Sequence, residues 1–343
     1  MAIRVAINGF GRIGRAFVRQ AWDNPDIEIV AVNDLGSAEN LAYLLQFDTV
    51  YGRAPFPVAW KEGALSINGK EVRFLSEKDP ALLPWRDIGV DVVVESTGFF
   101  TNYEKANAHV LAGARRVVIT GPVKDENPLG ATVLMGLDES KLGTCAITSN
   151  ASCTTNSASP VIAILDAALG IEKAILSTTH AYTASQAIVD GPSKKDMKEG
   201  RAAAQNIVPT STGAAVAVTK AYPALEGKFD GISLRVPVPA GSIADITFIA
   251  KRATSVEEVN DILRKAAQEP RWQGLFEASD AEFVSSDIIG QRAASIADLG
   301  MTRVVDGNLV KVLAWYDNEA GYTSTLVRHV LKSGAMPGAG IAT

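Results

Sequence analysis

A cysteine, a histidine and a glycine-rich turn carry most of the chemistry this sequence can do. Residues 149–156 read Ser-Asn-Ala-Ser-Cys-Thr-Thr-Asn, which places Cys153 among hydroxyls and amides directly ahead of a helical pattern over 154–169. Asn150 and Ser152 are both suited to cap that helix. Cys153 then falls in the first turn, where the macrodipole favours a thiolate, the reactive form. A neighbouring histidine can hold such a thiolate as an ion pair. A lone cysteine is more commonly buried and inert, and Cys145, in Thr-Cys-Ala-Ile, fits that description. Of the three histidines, His109 and His329 lie in helical patterns and are expected to be exposed or packing residues. His180 ends a predicted strand 27 residues after Cys153. A strand and a return loop can close that separation, but the residues alone leave the pairing open.

The second constellation is Gly9-Phe-Gly11-Arg-Ile-Gly14, a GxGxxG that follows a predicted strand and opens a predicted helix. The motif alone is weak; its context makes it a dinucleotide site. Gly9 permits a tight turn, Gly11 a close approach of backbone to pyrophosphate, and Gly14 helix–strand packing. The helix N-terminus offers N–H groups to the phosphates, and Arg12 could add charge. Asp34 ends the second predicted strand, 20 residues beyond Gly14. A carboxylate there accepts hydrogen bonds from ribose hydroxyls and repels a 2′-phosphate, which favours NAD over NADP. Residues 95–98, Glu-Ser-Thr-Gly, end a later strand on the same cofactor-facing edge.

The elements that must position these residues differ between the two halves. The first ~150 residues alternate strand patterns (4–8, 27–33, 91–95, 116–119) with helical ones (12–22, 38–45, 104–112), which predicts an open, parallel α/β sheet. The second half carries longer strands at 174–181, 232–238, 244–250 and 310–316 and an amphipathic helix over 256–268. That predicts an α+β domain with a mostly antiparallel sheet. The fold class expected is α/β: a Rossmann-type dinucleotide-binding domain over 1–151, with a helix at about 319–335 packing back on it, and a catalytic domain over 152–318. Residues 191–207 are polar and glycine-punctuated and read as a long surface loop with a functional role. Residues 333–343 are small and Gly-rich and expected to fray.

Composition bounds the answer. The chain has 343 residues, 47% hydrophobic and 21% charged, enough for two cored domains without disulfides. A net charge of −5 argues against nucleic acid as main partner. Two cysteines form no disulfide framework and no CxxC, which suits a reducing compartment. No secretory signal and no long apolar run is apparent, so a cytoplasmic place is expected and no membrane association. No metal site is expected.

Residues 149–156 (SNASCTTN) resemble the active-site signature of the glyceraldehyde-3-phosphate dehydrogenases. The resemblance continues through 7–14 (INGFGRIG), 95–98 (ESTG), 180–183 (HAYT), 201–204 (RAAA), 209–215 (PTSTGAA), 235–239 (RVPVP) and 315–322 (WYDNEAGY). Eight segments in one order over more than 300 residues make it specific. The resemblance implies a phosphorylating, NAD-dependent enzyme of glycolysis or gluconeogenesis, with Cys153 as nucleophile and His180 as its base. It implies Arg235 and Thr183 at the substrate phosphate. For inorganic phosphate it implies Ser152, Thr154, Thr212 and Gly213. Asn318 would orient the nicotinamide carboxamide, with Tyr322 packing nearby. Gly9, Gly11, Arg12, Ile13, Gly14, Asp34, Lys78, Thr97, Gly98 and Thr120 would contact the cofactor. The partners implied are glyceraldehyde 3-phosphate, inorganic phosphate and three further copies in a homotetramer.

The chain departs from the family at several points. Ser157 stands where many members have a second cysteine, Thr120-Gly-Pro where Ser-Ala-Pro is common, and Ala320 where Trp is frequent. The segment 191–201 differs most; in the family it lies at a subunit interface near a neighbour's adenosine, and Gly191 falls where a leucine often helps exclude a 2′-phosphate. NAD preference therefore rests mainly on Asp34. Two rivals are erythrose-4-phosphate dehydrogenase and a binding protein that has lost catalysis. Residues 120–122 and 209–215 follow the glyceraldehyde-3-phosphate pattern, and Cys153, His180 and Arg235 are all present. Replacing Asp34 with Ala is expected to lower the NAD/NADP ratio of kcat/KM by about tenfold, the scale of ~1.4 kcal/mol; an unmoved ratio would hand cofactor selection to the 191–201 loop.

Overall fold

The computed structural model describes residues 1–61, 63–125, 127–193 and 196–336. The chain divides into two units, Met1–Ala151 with Thr323–Thr343, and Ser152–Tyr322.

In the first unit the β-branched runs make a parallel sheet because both of its faces are covered: Val92–Glu95 and Arg116–Ile119 are buried at every position. Among the described residues the strand order is Gly130–Thr132, Ile147–Ser149, Arg116–Ile119, Val92–Glu95, Ile3–Asn8, Ile27–Asn33, Lys70–Leu75, Ala64–Ile67, Val58–Lys61. The first seven run parallel; the last two add as antiparallel neighbours. Sequence patterning finds the central strands but not those at either edge. Val58–Lys61 and Gly130–Thr132, at the two edges, are short and half exposed, and Lys70–Leu75 is mostly exposed or half-buried, so all three lack the continuous apolar run that marks the centre. The chain order reverses at Ile3–Asn8, and crevices beyond strand carboxyl ends at such a switch point are where open α/β sheets bind ligands.

That carboxyl edge is tied by a chain of buried polar side chains. Asn33, Asn8 and Glu95 each end a strand. Asn33 Nδ2 donates to Asn8 Oδ1 at 2.7 Å, and Asn8 Nδ2 donates to Glu95 Oε2 at 2.6 Å. His109 continues the chain: its Nε2 is 3.0 Å from Glu95 Oε2, and its Nδ1 accepts from Trp85 Nε1–H at 3.0 Å. His109 is fully buried, the packing alternative of the two expected for it. A buried carboxylate needs partners on every side, and His109 is one of them.

The helix Ala320–Ala335 contributes Leu326 and Val330 to the core built around Val5, Ile7 and Val94. It continues into the stretch expected to fray, while residues 337–343 lie outside the described residues. His329 on this helix is likewise fully buried, again the packing alternative. Its Nε2 meets Thr148 Oγ1 at 2.8 Å and its Nδ1 meets Asn150 Oδ1 at 3.1 Å. The Asn150 amide in turn donates to Thr325 Oγ1 at 3.0 Å.

The second unit is a sheet in the order Val208–Ser211, Phe229–Val236, Ile171–Ala181, Ser242–Ala250, Leu309–Tyr316, Ser295–Val305, Phe276–Ser279. Two pairings are parallel, Phe229–Val236 with Ile171–Ala181 and Phe276–Ser279 with Ser295–Val305; the rest are antiparallel. Helix Cys153–Leu169 packs across the sheet, flanked by Ala214–Ala221 and Val256–Ala267. The 191–207 segment closes on itself: Gly191 N–H donates to Gly200 O at 2.8 Å, and a Cβ on Gly200 would lie 2.2 Å from Gly191 O. Lys194 and Lys195 lie outside the described residues.

Burial pushes the His329 pKa from 6.5 down to about 3. Below pH 6.5 the unfolded chain therefore binds a proton that the folded chain refuses until about pH 3. Stability falls over that window at about 1.4 kcal/mol per pH unit for this group. In denaturant titrations between pH 4 and 7, His329→Gln is expected to flatten the acid slope by that amount; an unchanged slope would show that the ring is already charged.

Candidate active site

Helix Cys153–Leu169 begins with a decided cap. Of the two candidates, Ser152 takes the role: its Oγ accepts the Thr155 N–H at 3.1 Å and meets Thr155 Oγ1 at 2.7 Å. Cys153 is thus the first helical residue, with the N–H groups of the opening turn beside its sulphur. Ala151, two residues before Cys153, holds φ +54°, an uncommon conformation for a residue with a side chain.

His180 comes from the end of strand Ile171–Ala181. Alternation along that strand turns Thr178 and His180 to one buried face. Cys153 Sγ lies 3.3 Å from His180 Nε2. Arg235 arrives from the neighbouring parallel strand, where the register sets it directly opposite His180. Its Nη1 lies 2.6 Å from His180 Nδ1, and that same Nδ1 is 2.6 Å from the Ala181 carbonyl oxygen.

Electrostatics here are dominated by burial. Burial pushes the His180 imidazole down to about 3; the Arg235 charge adds to this and the Ala181 carbonyl opposes it. Burial pushes the Cys153 thiol up, opposed by the Arg235 charge and by hydrogen bonds from Thr154. The imidazole Nε2 facing the sulphur is placed to exchange a proton during a reaction.

Thr212 and Gly213 lead into helix Ala214–Ala221, with Thr212 Oγ1 accepting the Ala214 N–H at 3.1 Å. Thr183 is half-buried, and Gln186 Oε1 accepts its N–H at 2.8 Å and lies 3.2 Å from its hydroxyl. Asn318 is buried and accepts from Ser242 Oγ at 3.1 Å; Tyr322 is buried as well. Thr154 is buried with its hydroxyl 2.8 Å from Tyr316 Oη.

In the first unit the glycine turn is closed on its protein side. Gly9 has φ +93°, and a Cβ there would meet the Thr97 nitrogen at 2.6 Å; a Cβ on Gly14 would meet Gly9 O at 2.4 Å. Nothing lies within 4 Å of where a Gly11 Cβ would sit. Gly11 caps helix Arg12–Ala21, and no side chain caps it. An open backbone at a helix start fits a pyrophosphate. The Asp34 carboxylate accepts the Phe10 N–H at 2.6 Å and the Gly36 N–H at 2.8 Å, which leaves lone pairs for ribose hydroxyls. Thr97 hangs by its N–H and hydroxyl from Glu95 Oε1. Gly98 follows with φ +75°, and Thr120 N–H donates to Glu95 O at 2.9 Å. Arg12 is engaged by Asp48 at 2.6 Å and lies over the Tyr51 ring. Ile13 is half-buried against the core, and Lys78 is exposed on a loop pinned by Asn33.

Residues 3–103 match the family described as "Glyceraldehyde 3-phosphate dehydrogenase, NAD binding domain", and residues 152–318 match its C-terminal domain. A glyceraldehyde-3-phosphate dehydrogenase of Mycobacterium avium is 48% identical over 335 residues, covering 95% of this chain and 97% of its own. One from Streptomyces coelicolor is 46% identical over 330 residues, with the same coverage. A protein of Leishmania mexicana named as the cytosolic glyceraldehyde-3-phosphate dehydrogenase is 45% identical, covering 97% of this chain and 99% of its own. The chain belongs to the glyceraldehyde 3-phosphate dehydrogenase family.

Within this member of the glyceraldehyde 3-phosphate dehydrogenase family, the structure brings Cys153 to one ring nitrogen of His180 and Arg235 to the other. It gathers Gly9, Gly14, Asp34, Thr97 and Thr120 around one strand edge. Sequence reading missed Tyr316. Its Oη lies 2.8 Å from both Thr154 Oγ1 and Thr178 Oγ1, and its ring stands edge-on to His180 at 5.9 Å. Alternation along Leu309–Tyr316 puts Tyr316 on the buried face, and that was the available signal. Among the described residues no cluster of His, Cys, Asp or Glu could hold a metal, and no helix is long and apolar enough to cross a membrane.

Tyr316→Phe is expected to cost about 1–3 kcal/mol, because it strands the buried Thr154 hydroxyl. Equilibrium unfolding in urea measures this; a loss under ~0.5 kcal/mol, the low end for a hydrogen bond, would mean the hydroxyl finds another partner.

Proposed function

We propose that this chain catalyses the reversible, NAD-dependent oxidative phosphorylation of D-glyceraldehyde 3-phosphate to 1,3-bisphosphoglycerate. The observation that carries this reading is the 3.3 Å approach of Cys153 Sγ to His180 Nε2, with Arg235 alongside. The sulphur attacks the aldehyde carbon and gives a hemithioacetal. His180 Nε2 takes the hydroxyl proton as the C–H electron pair departs. The bound nicotinamide supplies the acceptor for that hydride. An acyl thioester remains on Cys153. A phosphate oxygen attacks its carbonyl, with protonated His180 stabilising the oxyanion. The carbon–sulphur bond breaks and the acyl phosphate leaves.

Two anions must be held without a carboxylate nearby. Arg235 and Thr183 take the substrate phosphate; Ser152, Thr154, Thr212 and Gly213 take inorganic phosphate, aided by helix starts. Asn318 and Tyr322 position the nicotinamide. Gly9, Gly11, Arg12, Ile13, Gly14, Asp34, Lys78, Thr97, Gly98 and Thr120 hold the rest of the cofactor. The domains we assign to these tasks are 1–151, joined by the C-terminal helix, and 152–318. Family membership supports a homotetramer, and two free cysteines support a cytoplasmic place.

A steady-state assay with glyceraldehyde 3-phosphate, with and without phosphate and with each cofactor, tests the reaction. Cys153→Ala is expected to abolish turnover, by at least ~10⁴-fold, while leaving NAD affinity in place. Retained turnover in that variant would remove Cys153 as nucleophile.

A further inference from the structure

Ser242 opens the strand Ser242–Ala250, which runs between Ile171–Ala181 on one side and Leu309–Tyr316 on the other. Both neighbours end beside it. Ser242 pairs directly with Tyr316, two residues before Asn318, and Ile243 pairs with Thr179, one residue before His180. The Ser242 side chain is buried. Its hydroxyl has one proton to give and lone pairs to receive. The Ala181 N–H donates to Ser242 Oγ at 3.1 Å, so that neighbour can take nothing back. The Ser242 proton therefore goes to its other partner, Asn318, where only the amide oxygen accepts it, at 3.1 Å. That decides which way the Asn318 amide faces. Oδ1 lies against Ser242, and Nδ2 is turned away from it, meeting no acceptor among the described residues. The backbone around Asn318 is pinned as well. The fully buried Asp317 carboxylate accepts the N–H groups of Gly290, Glu319 and Ala320, each at 2.8 Å.

We propose that Ser242 is a positioning residue for the nicotinamide: it holds the Asn318 amide so that this side chain presents a donor to the carboxamide, and it ties that donor to the strand end that carries His180. The inference deepens the reading in which Asn318 orients the nicotinamide, and rests on it. A freely turning amide offers a ligand either its donor edge or its acceptor edge. A carboxamide can then meet it in two orientations that differ by half a turn. With Oδ1 turned in to Ser242, the edge left for a ligand is Nδ2–H, and the carboxamide oxygen is the atom that answers it. The ring is held in one of its two rotations, which is the orientation a hydride transfer needs before it starts. The other end of the tie is Ala181. Its N–H is on Ser242, and its carbonyl oxygen lies 2.6 Å from His180 Nδ1. One buried hydroxyl sets the holder of the hydride acceptor and the residue beside the base against a common reference.

Calorimetric titration of the full protein with three ligands tests this. The first is NAD. The second is ADP-ribose, the same cofactor without its nicotinamide. The third is acetylpyridine adenine dinucleotide, which keeps the carbonyl and carries a methyl group in place of the carboxamide nitrogen. Ser242→Ala and Asn318→Ala are each expected to raise the Kd for NAD about tenfold, the scale of one hydrogen bond, and to leave the Kd for ADP-ribose unchanged. Asn318→Ala is expected to weaken the acetylpyridine analogue by the same factor, since the donor meets the carbonyl that both ligands share. The double variant is expected to bind NAD no more weakly than Asn318→Ala, because Ser242 acts through Asn318. Additive losses in the double variant overturn the proposal, as does an Asn318→Ala loss that NAD shows and the analogue does not. The analogue comparison leaves Ser242 in place, so it tests the orientation of the amide whatever Ser242→Ala does to folding. Weakened NAD binding in Asn318→Ala with none in Ser242→Ala overturns this inference alone. Unchanged NAD binding in Asn318→Ala overturns the reading on which it rests.

Discussion

The parallel pairing of Ile171–Ala181 with Phe229–Val236 is the constraint on which the site depends. Its register sets His180 directly opposite Arg235. The rest of this sheet is mostly antiparallel, so the pairing is an exception within it. A slip of one residue would turn both side chains to the opposite face. Cys153 then needs only a helix start laid over that face, and Ser152 supplies it by capping Cys153–Leu169. Three residues far apart in the chain meet because two strands and one helix each have a single way to bury their apolar sides.

The three histidines show how a buried imidazole is made structural or reactive. His109 lies between the Glu95 carboxylate and the Trp85 N–H, so each nitrogen has a partner of the right kind. His329 is matched in the same way by Thr148 and Asn150. Such closed networks lock a core and have no proton to spare. At His180 one nitrogen faces a nucleophile and the other is contested by a donor and an acceptor. That unresolved demand is stored where chemistry is carried out, in keeping with the concentration of strain at functional sites. The φ of +54° at Ala151, two residues before Cys153, belongs to the same pattern.

Much of the cofactor edge was legible because its signals are local. Gly9, Gly11 and Gly14 follow a strand and open a helix, and the contacts a Cβ would make at Gly9 and Gly14 explain why glycine stands there. The buried chain Asn33–Asn8–Glu95–His109 was not legible. Its members are spread from residue 8 to residue 109 and meet only when three strands align their carboxyl ends. Likewise the strands Ala64–Ile67 and Val58–Lys61 escaped notice: each is only four residues long, and Val58–Lys61, at the sheet edge, alternates half-buried with exposed positions.

By itself the sequence determined the types of group available: a capped helix start behind a cysteine, a glycine turn behind a strand, and a carboxylate at the next strand's end. These follow from hydrogen-bonding and steric rules that act within a few residues. Motif order also gave the family. Only the tertiary structure decided that Cys153 and His180 meet, that Arg235 rather than a carboxylate stands behind the histidine, and that Tyr316 bridges Thr154 and Thr178 beside the ring. Those outcomes depend on strand register and helix packing, which are set by burial summed over the whole unit and not by any local run of residues.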